Sequence, residues 1–278
     1  MKTEHRPLIL LTNDDGYDSP ALLELAKQVS QIGDILISAP KEHHSGVARG
    51  VPFGEKARDT GAIEQHIFEF DDGTKQSVYA VDGTPALSVV HAILEIADRK
   101  PDLCISGINY GENVGRALNY SGTIGAAIEA AGFSIPSIAA SQQLSMDDMF
   151  YMKSSENVFD VASQIVVRFA KKLLENPVEE GFYCLNLNIP IGGNLETPIE
   201  ITSQAHINRW DWVKPKHKRD FSQHFKIEYE EATDVEWVPG TDAHALLVNK
   251  NISVTPISWS IDAKPGEYNY LDIEKLAN

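Results

Sequence analysis

The amino-acid sequence predicts an α/β protein with a Rossmann-like, mostly parallel sheet, helices on both faces and a β-rich C-terminal extension. Two observations lead to this fold class. Short apolar runs alternate with longer helical patterns up to Pro190, and after Pro190 the pattern changes to short β-prone pieces. Parallel strands need crossover connections, which are usually helices, so the alternating part predicts a parallel sheet covered on both faces.

The predicted strands are short apolar runs, and two predicted helices begin at a hydroxyl residue followed by proline. Ser19-Pro20 and Thr84-Pro85 combine an N-cap residue with proline at the first helical position. The predicted strands are 8–12, 34–38, 67–70, 77–81, 102–106, 135–140 and 182–188. The predicted helices are 20–32, 85–97, 122–131, 154–174 and a short one at 270–276.

Residues 1–190 are interpreted as the Rossmann-like core, and residues 191–278 as a β-rich extension and tail of the same domain. The β-prone pieces of the extension are 200–203, 226–229 and 252–256, and a charged stretch with tryptophans lies between them. Within the core, Asp71-Asp72-Gly73 stands between two predicted strands and predicts a hairpin.

The net charge limits the expected partners. The chain has 40 acidic and 24 basic residues, which gives a net charge of −16. Such a surface repels nucleic-acid polymers and anionic membranes, so neither is an expected partner. It also repels a small anionic substrate, unless a cation or amide donors reverse the sign of the potential locally.

Cysteine usage and apolar run lengths indicate a cytoplasmic protein. Cys104 and Cys184 lie in apolar runs and suggest neither a disulfide framework nor a zinc site. The apolar run near the N-terminus is too short for a signal peptide. No run approaches the roughly 20 residues that cross a bilayer.

The strongest candidate site follows the first predicted strand. Asn13-Asp14-Asp15-Gly16 stands at the carboxyl end of that strand, where open α/β sheets bind ligands. Adjacent carboxylates repel each other unless a cation lies between them, and Gly16 gives the backbone the freedom to bring both to one side. The alternative is an ordinary turn with solvated acids, as we expect for Asp71-Asp72-Gly73.

Two further candidate segments follow later strands. The loop 106–115 has glycines that let the backbone approach a ligand, and its Asn109 and Asn113 supply amide groups. Ser121-Gly122-Thr123 opens an alanine-rich helix whose first backbone N–H groups form an anion site. Each segment has a simpler explanation, a strand-to-loop turn for the first and an N-cap with close packing for the second.

The segment His43-His44-Ser45-Gly46 follows the second predicted strand. Neighbouring histidine side chains diverge and no third nitrogen ligand is near in sequence, so a solvated basic loop explains the histidines better than a metal site. The Ser45 hydroxyl, two carboxylates and one amide oxygen form an all-oxygen set that suits Mg²⁺ or Mn²⁺ better than zinc. A metal next to a phosphate-binding helix start is the arrangement of metal-assisted phosphoryl hydrolysis.

These motifs together resemble the SurE family of survival-protein nucleotidases. The motifs are Leu-Leu-Thr-Asn-Asp-Asp-Gly (10–16), Ala-Pro-Lys-Glu-His-His-Ser-Gly (39–46), Ser-Gly-Ile-Asn-Tyr-Gly-Glu-Asn-Val-Gly (106–115) and Tyr-Ser-Gly-Thr-Ile-Gly-Ala-Ala (120–127). The later segments 185–190, 239–242 and 252–257 fit as well. The resemblance covers most of the chain, and this combination in this order is highly specific.

The resemblance implies that Asp14, Asp15, Ser45 and Asn109 bind one Mg²⁺ or Mn²⁺ ion. It implies a phosphoric monoester hydrolase, a 5′- or 3′-nucleotidase that cleaves nucleoside monophosphates, with short polyphosphate as a further substrate. It also implies a homodimer or homotetramer that exchanges C-terminal elements. The chain departs from the family at residues 210–219, where a Gly/Arg-rich hairpin is common, so base preference and oligomer geometry stay open.

We expect the metal to bind the substrate phosphate, and Asn13, Asn113 and Ser121-Gly122-Thr123 to bind its remaining oxygens. A metal-associated water is the expected nucleophile, with Asp14 or Asp15 as base, and direct attack by an aspartate is the alternative. Two rival functions are a Rossmann-like enzyme with a nucleotide cofactor and a non-enzymatic nucleotide or metal sensor. The first rival lacks its Gly-x-Gly-x-x-Gly motif after the first strand.

Overall fold

A nine-stranded sheet forms the centre of the structure, a computed structural model that describes residues 6–145, 148, 156–176, 184–207, 209–216, 220–222, 224, 226–233 and 235–258. The strands formed by these residues, in the nine-stranded sheet and outside it, are β1 Leu8–Thr12, β2 Asp34–Pro40, β3 Ile63–Glu69, β4 Lys75–Val81, β5 Leu103–Tyr110, β6 Ser137–Gln142, β7 Cys184–Ile189, β8 Ile199–Ile201, β9 Trp210–Trp212, β10 Tyr229–Glu231 and β11 Ile252–Ile257. The short helix predicted at 270–276 lies outside the described residues.

The strand order places the first motif at a topological switch point. The order is β3-β4-β2-β1-β5-β6-β7-β11-β8, and the six strands from β4 to β7 run parallel to their neighbours. Outside them, β3 and β11 pair antiparallel with β4 and β7. The chain leaves β1 toward β2 on one side and reaches β5 on the other. Ligands bind at such a point, outside the carboxyl ends of the strands.

Helices cover both faces of the sheet, which confirms the predicted fold class. The described α-helices include α1 Pro20–Val29, α2 Pro85–His91, α3 Gly122–Gly132 and α4 Glu156–Glu175. Helix α1 packs against α4, and α2 packs against α3. Along β1, Ile9 and Leu11 join the core with α1 and α4, whereas Leu10 joins the core with α2 and α3. Both faces of this strand are therefore buried, as its continuous apolar run predicts.

Side-chain caps form at Thr84, as predicted, and at Ser121, where an N-cap is the simpler of the two explanations given above. The Thr84 side chain accepts a hydrogen bond from the Leu87 backbone N–H, and the Ser121 side chain accepts one from Ile124. Ser19 stands at the N-cap position of α1 and its side chain makes no such bond within the described helix. Helix α2 ends earlier than predicted and continues as one π-helical turn, Ala92–Ile96.

Strand β5 is longer than predicted because it contains an irregularity. The prediction ended at Ser106, but the strand resumes its pairing with β6 at Asn109 after a shift of register. Gly107 has φ +136°, and a Cβ there would lie 2.3 Å from the Ala140 carbonyl oxygen. Only glycine fits such a position without strain. The irregularity carries Asn109 and Tyr110 to the edge of the sheet where β1 ends.

The C-terminal extension contributes to two sheets. Strand β11 continues the main sheet beside β7, and β8 pairs parallel with β11. Strands β9 and β10 form a separate antiparallel hairpin, which we call the aromatic hairpin, with Trp212 opposite Tyr229. The piece predicted at 226–229 is thus displaced toward the C-terminus. None of the described helices is both long and apolar enough to cross a membrane.

Asp242 fastens the extension to the glycine-rich loop of the core. It is fully buried. Its Oδ2 accepts the Gly115 backbone N–H at 2.9 Å, and its Oδ1 accepts those of Ala205 at 2.8 Å and Ala243 at 2.7 Å. Burial raises the pKa of Asp242, and the backbone N–H groups lower it in part. One carboxylate therefore joins three segments that are distant in sequence.

We predict that Asp242→Asn lowers thermal stability. The new NH₂ group faces the Gly115 N–H, and a buried polar group without a partner costs about 1–3 kcal/mol. A calorimetric melt should show a lower Tm. Asp211→Asn, at an exposed position of the aromatic hairpin, is the matched control and should melt like the unmodified protein. Equal Tm values for both variants would contradict the role of Asp242.

Candidate functional site

The two acidic residues of the first motif lie buried at the carboxyl end of β1. Asp14 is 3% exposed and Asp15 is 8% exposed. The side chain of Asn13 closes the turn, since its Nδ2 donates to the Gly16 carbonyl at 2.9 Å and its Oδ1 accepts the Gly16 N–H at 3.2 Å. Gly16 has φ +117°, in agreement with the predicted bend after the strand.

The second Asp-Asp-Gly segment shows what an ordinary turn looks like in this chain. It forms the predicted hairpin tip between β3 and β4. The Asp71 side chain is 89% exposed, and Asp72 Oδ1 accepts the Thr74 backbone N–H at 2.9 Å. The same three residue types are therefore solvated at one place and buried at the other. Only the buried pair requires an explanation beyond turn formation.

Burial raises the pKa of both Asp14 and Asp15. For Asp15 the charge of Asp14 raises the pKa further, and the backbone N–H of Tyr110 lowers it in part. For Asp14 a hydrogen bond from Thr123 and the proximity of His43 lower the pKa in part. The Oδ2 of Asp15 is buried without a hydrogen-bond partner among the residues that the structure describes. A cation beside this atom would offset both the burial and the mutual repulsion, so the pair fits a metal ion.

The start of α3 contacts Asp14 directly. The Thr123 hydroxyl donates to Asp14 Oδ1 at 2.6 Å. A Cβ on Gly122 would lie 2.8 Å from the Asp14 Cβ, so glycine allows this approach. The single hydroxyl hydrogen of Thr123 is therefore used by Asp14, and any contact of this residue with phosphate would use its backbone N–H. Ser121 caps the helix, and phosphate binding by the helix start stays a prediction.

The loop that carries Ser45 crosses the end of β1. The His44 backbone N–H donates to the Asp14 carbonyl at 2.7 Å, and Ser45 follows as an exposed residue. The Nδ1 of His43 lies 3.6 Å from Asp15 Oδ1, with the side chain 48% exposed. His43, predicted to lie in a solvated loop, is half-exposed beside Asp15. Its position in the second motif was the available signal.

Asn109 stands at the end of β5, directly before Tyr110, whose backbone N–H bonds to Asp15. It is half-buried, and its Nδ2 donates to the Gly111 carbonyl at 2.8 Å, so its Oδ1 is the side that can bind a cation. Among the described residues no group of three or more His, Cys, Asp and Glu side chains is arranged to hold a metal. A cation at Asp14 and Asp15 would therefore need neutral oxygens, such as those of Ser45 and Asn109, or water.

Asn113 is held by side-chain amides from β7. Its backbone N–H donates to Asn188 Oδ1 at 2.7 Å, and its carbonyl accepts from Asn186 Nδ2 at 2.8 Å and Asn188 Nδ2 at 3.1 Å. Its own Nδ2 donates to Ser141 Oγ at 3.0 Å. These partners of Asn113 are not among the residues predicted from the sequence. The signal was two asparagines at alternate positions of an apolar strand, which places both on one face.

Comparisons with known proteins identify the family. The family model described as survival protein SurE matches residues 9–213. The chain belongs to this family. A 5′-nucleotidase SurE of Methanocella arvoryzae is 38% identical, over 92% of this chain and 93% of that protein. One of Thermococcus kodakarensis is 33% identical, over 96% and 97%. The crystal structure of the Sure protein from Aquifex aeolicus superposes with a TM-score of 0.71 at 31% identity, covering 98% of this chain and all of that one.

We predict that Asp15→Asn raises the Tm of the metal-free protein at pH 7. The folded-state pKa of Asp15 is raised, so ionisation above the ordinary carboxyl pKa costs folding free energy, and the amide removes that cost. The gain should disappear below about pH 3.9, where both the folded and the unfolded state are protonated. Melts in EDTA over a pH series measure it. Asp71→Asn, at the exposed hairpin tip, should show no such gain.

We also predict that Thr123→Val weakens divalent-ion binding. The substitution removes the hydrogen bond to Asp14 and raises the pKa of its carboxyl group further. A hydrogen bond to a charged group contributes about 1.5–3 kcal/mol, so Mn²⁺ affinity measured by titration calorimetry should fall about 10- to 150-fold. Thr123→Ser keeps the hydroxyl and should retain the affinity. Unchanged Mn²⁺ binding by Thr123→Val would mean that the bond to Asp14 does not support the metal site.

Proposed function

We propose that this chain is a divalent-metal-dependent 5′-nucleotidase that hydrolyses a nucleoside monophosphate to a nucleoside and inorganic phosphate. The observation that carries the proposal is the buried Asp14–Asp15 pair, with an unpartnered Asp15 oxygen, at the switch point of a SurE-family sheet. The relatives named 5′-nucleotidase supply the reaction class. Nucleoside 3′-monophosphates and short polyphosphate are further proposed substrates of the same site.

The residues that would hold the metal are Asp14, Asp15, Ser45 and Asn109. Their oxygens are hard ligands, and Mg²⁺ or Mn²⁺ prefers such ligands together with water. A bound divalent ion supplies Lewis-acid polarisation and neutralises phosphate charge, which a chain of net charge −16 requires for an anionic substrate.

The amide side chains of Asn13 and Asn113 are the proposed phosphate donors. Each Nδ2 carries two hydrogens, and one of them is already used, by the Gly16 carbonyl for Asn13 and by Ser141 for Asn113. The second hydrogen of each can be donated to a phosphate oxygen. The first backbone N–H groups of α3 and the positive end of its dipole add to this anion site.

Asp15 is the proposed base that accepts a proton from the attacking water. Its Oδ2 has no hydrogen-bond partner among the described residues, so this oxygen is free to accept a proton. Asp14 is less suited, because its Oδ1 accepts the Thr123 hydroxyl and is held in one orientation. His43 lies beside Asp15 and lowers the pKa of Asp14 through its charge. The proposed division of roles is thus an oriented Asp14 and a proton-accepting Asp15.

We predict that Asp14→Asn abolishes most phosphate release from adenosine 5′-monophosphate. Loss of a metal ligand should reduce kcat at least about 100-fold, because a bound metal ion supplies several kcal/mol of transition-state stabilisation. Release of inorganic phosphate is measured with Mg²⁺, with Mn²⁺ and with EDTA, and EDTA should abolish it. Asp72→Asn at the exposed hairpin tip should keep the full rate. Near-normal turnover of Asp14→Asn at saturating metal would refute the assignment.

A thermal melt separates the enzyme from a non-enzymatic sensor. An ion that binds only the folded state stabilises it by about 2.7 kcal/mol at a hundredfold excess over its Kd. Mn²⁺ should therefore raise the Tm of the unmodified protein and not that of Asp14→Asn. A metal-dependent Tm shift without any phosphate release would identify a sensor. Light scattering after size-exclusion chromatography tests the expected homodimer or homotetramer in the same preparation.

A further inference from the structure

A cavity of about 240 Å³ opens next to the candidate metal site and has aromatic walls. It shares Asn109 and Tyr110 with the end of β5. The aromatic hairpin supplies most of the opposite wall. The aromatic side chains that line it are Tyr110, Tyr120, Trp210, Trp212 and Tyr229. Small-molecule sites are typically concave and apolar with a few polar groups, and this cavity has that composition.

Arg209 holds the aromatic hairpin in place. Its Nη1 lies 2.6 Å from Glu112 Oε1 on the glycine-rich loop, and its Nε lies 3.0 Å from Glu231 Oε1 on β10. The Glu112 side chain is 5% exposed and that of Arg209 is 16% exposed, so this ion pair is largely shielded from solvent. The Arg209 guanidinium also stacks 4.9 Å from the centre of the Trp210 ring. The cavity wall is therefore tied to the loop that carries Asn109 and Asn113.

The ring geometry leaves a stacking surface at the cavity. Tyr229 meets the rings of Trp210 and Trp212 edge to face, each with a centroid distance of 6.1 Å. These contacts limit the rotation of both tryptophan rings. Trp212 is 70% exposed, so much of its surface is accessible to a ligand. A planar aromatic ligand can stack on such a surface.

The charges at the cavity disfavour a phosphate group there. Arg209 is the one cation among the described lining residues, and Glu112 and Glu231 already neutralise it. An anion would therefore gain little in this cavity. An uncharged, planar ring would gain contact area and would leave the ion pair intact. The two ends of a nucleotide thus suit two adjacent places, phosphate at Asp14 and Asp15 and the nucleobase between the aromatic side chains.

We propose that this aromatic cavity is the nucleobase-binding subsite, with Trp212 as its main stacking residue. The inference rests on the proposed function, since it assumes a nucleoside monophosphate as substrate. Stacking of the base in this subsite would make a nucleotide a better substrate than a phosphate monoester without a base. Stacking tolerates different bases, because every base has an aromatic face, so the subsite selects for a base without requiring one base.

The test compares substrates with and without a base. For Trp212→Ala, KM for adenosine 5′-monophosphate should rise about 5- to 150-fold, which corresponds to the roughly 1–3 kcal/mol of one stacked base. KM for ribose 5-phosphate and kcat for both substrates should stay the same. Trp212→Phe should recover most of the affinity. Phe221→Ala, an 83% exposed aromatic residue of the extension outside the cavity lining, is the matched control and should change neither substrate.

Equal changes for the two substrates would overturn the subsite and leave the nucleotidase proposal standing. A Trp212→Ala protein with an altered oligomeric state and equally reduced activity on both would show instead that the cavity is occupied by a second copy. Absence of nucleotide hydrolysis by the unmodified protein would refute the proposed function, and a binding experiment then tests the subsite by itself. Adenosine, measured by calorimetry in EDTA, should bind the unmodified protein and bind Trp212→Ala at least about fivefold more weakly. Equal adenosine binding by both would overturn the subsite.

Discussion

The burial of two neighbouring carboxyl groups is the constraint around which this structure is organised. Desolvation and mutual repulsion both penalise the ionised forms of Asp14 and Asp15. The surroundings offset only part of that cost, with one hydroxyl and the first turn of α3 at Asp14 and one backbone N–H at Asp15. The remaining cost of ionisation lies at the carboxylate oxygens to which a cation would bind. The fold thus keeps partly uncompensated negative charge at the carboxyl end of β1, and a divalent ion is suited to neutralise it.

Three backbone features make that burial possible, and each depends on a small residue or a turn. Gly122 lets the start of α3 approach Asp14, Gly107 lets β5 shift its register toward the end of β1, and Asn13 closes the turn with Gly16. The extension then reaches back through Asp242 and Arg209 and fixes the glycine-rich loop from the other side. The buried Asp14–Asp15 pair and the aromatic cavity are therefore supported by different segments of the chain.

Much of the fold could be predicted because its signals are local. Apolar runs marked the parallel strands, and hydroxyl-proline pairs marked the starts of α1 and α2. The motifs also indicated which segments meet at one sheet edge. The hydrogen-bond and ion-pair partners of the side chains at that edge could not be predicted, because such contacts depend on strand register. The bond from Thr123 to Asp14, the approach of His43 to Asp15 and the shift within β5 follow from tertiary packing that leaves no periodic signal. The aromatic hairpin was equally unpredictable, because its short strands are paired across a variable stretch.

The amides of Asn186 and Asn188 have a consequence for how the site responds to its environment. They hold the backbone of Asn113 from both sides without using an ionisable group. Amide hydrogen bonds keep their strength when protons or salt are added, whereas the carboxyl groups at the end of β1 titrate. The loop therefore acts as a charge-independent frame. If acid protonated Asp14 and Asp15 and the proposed cation were lost, the hydrogen bonds that hold Asn113 would remain, so loss and recovery of the ion would not require refolding of this loop.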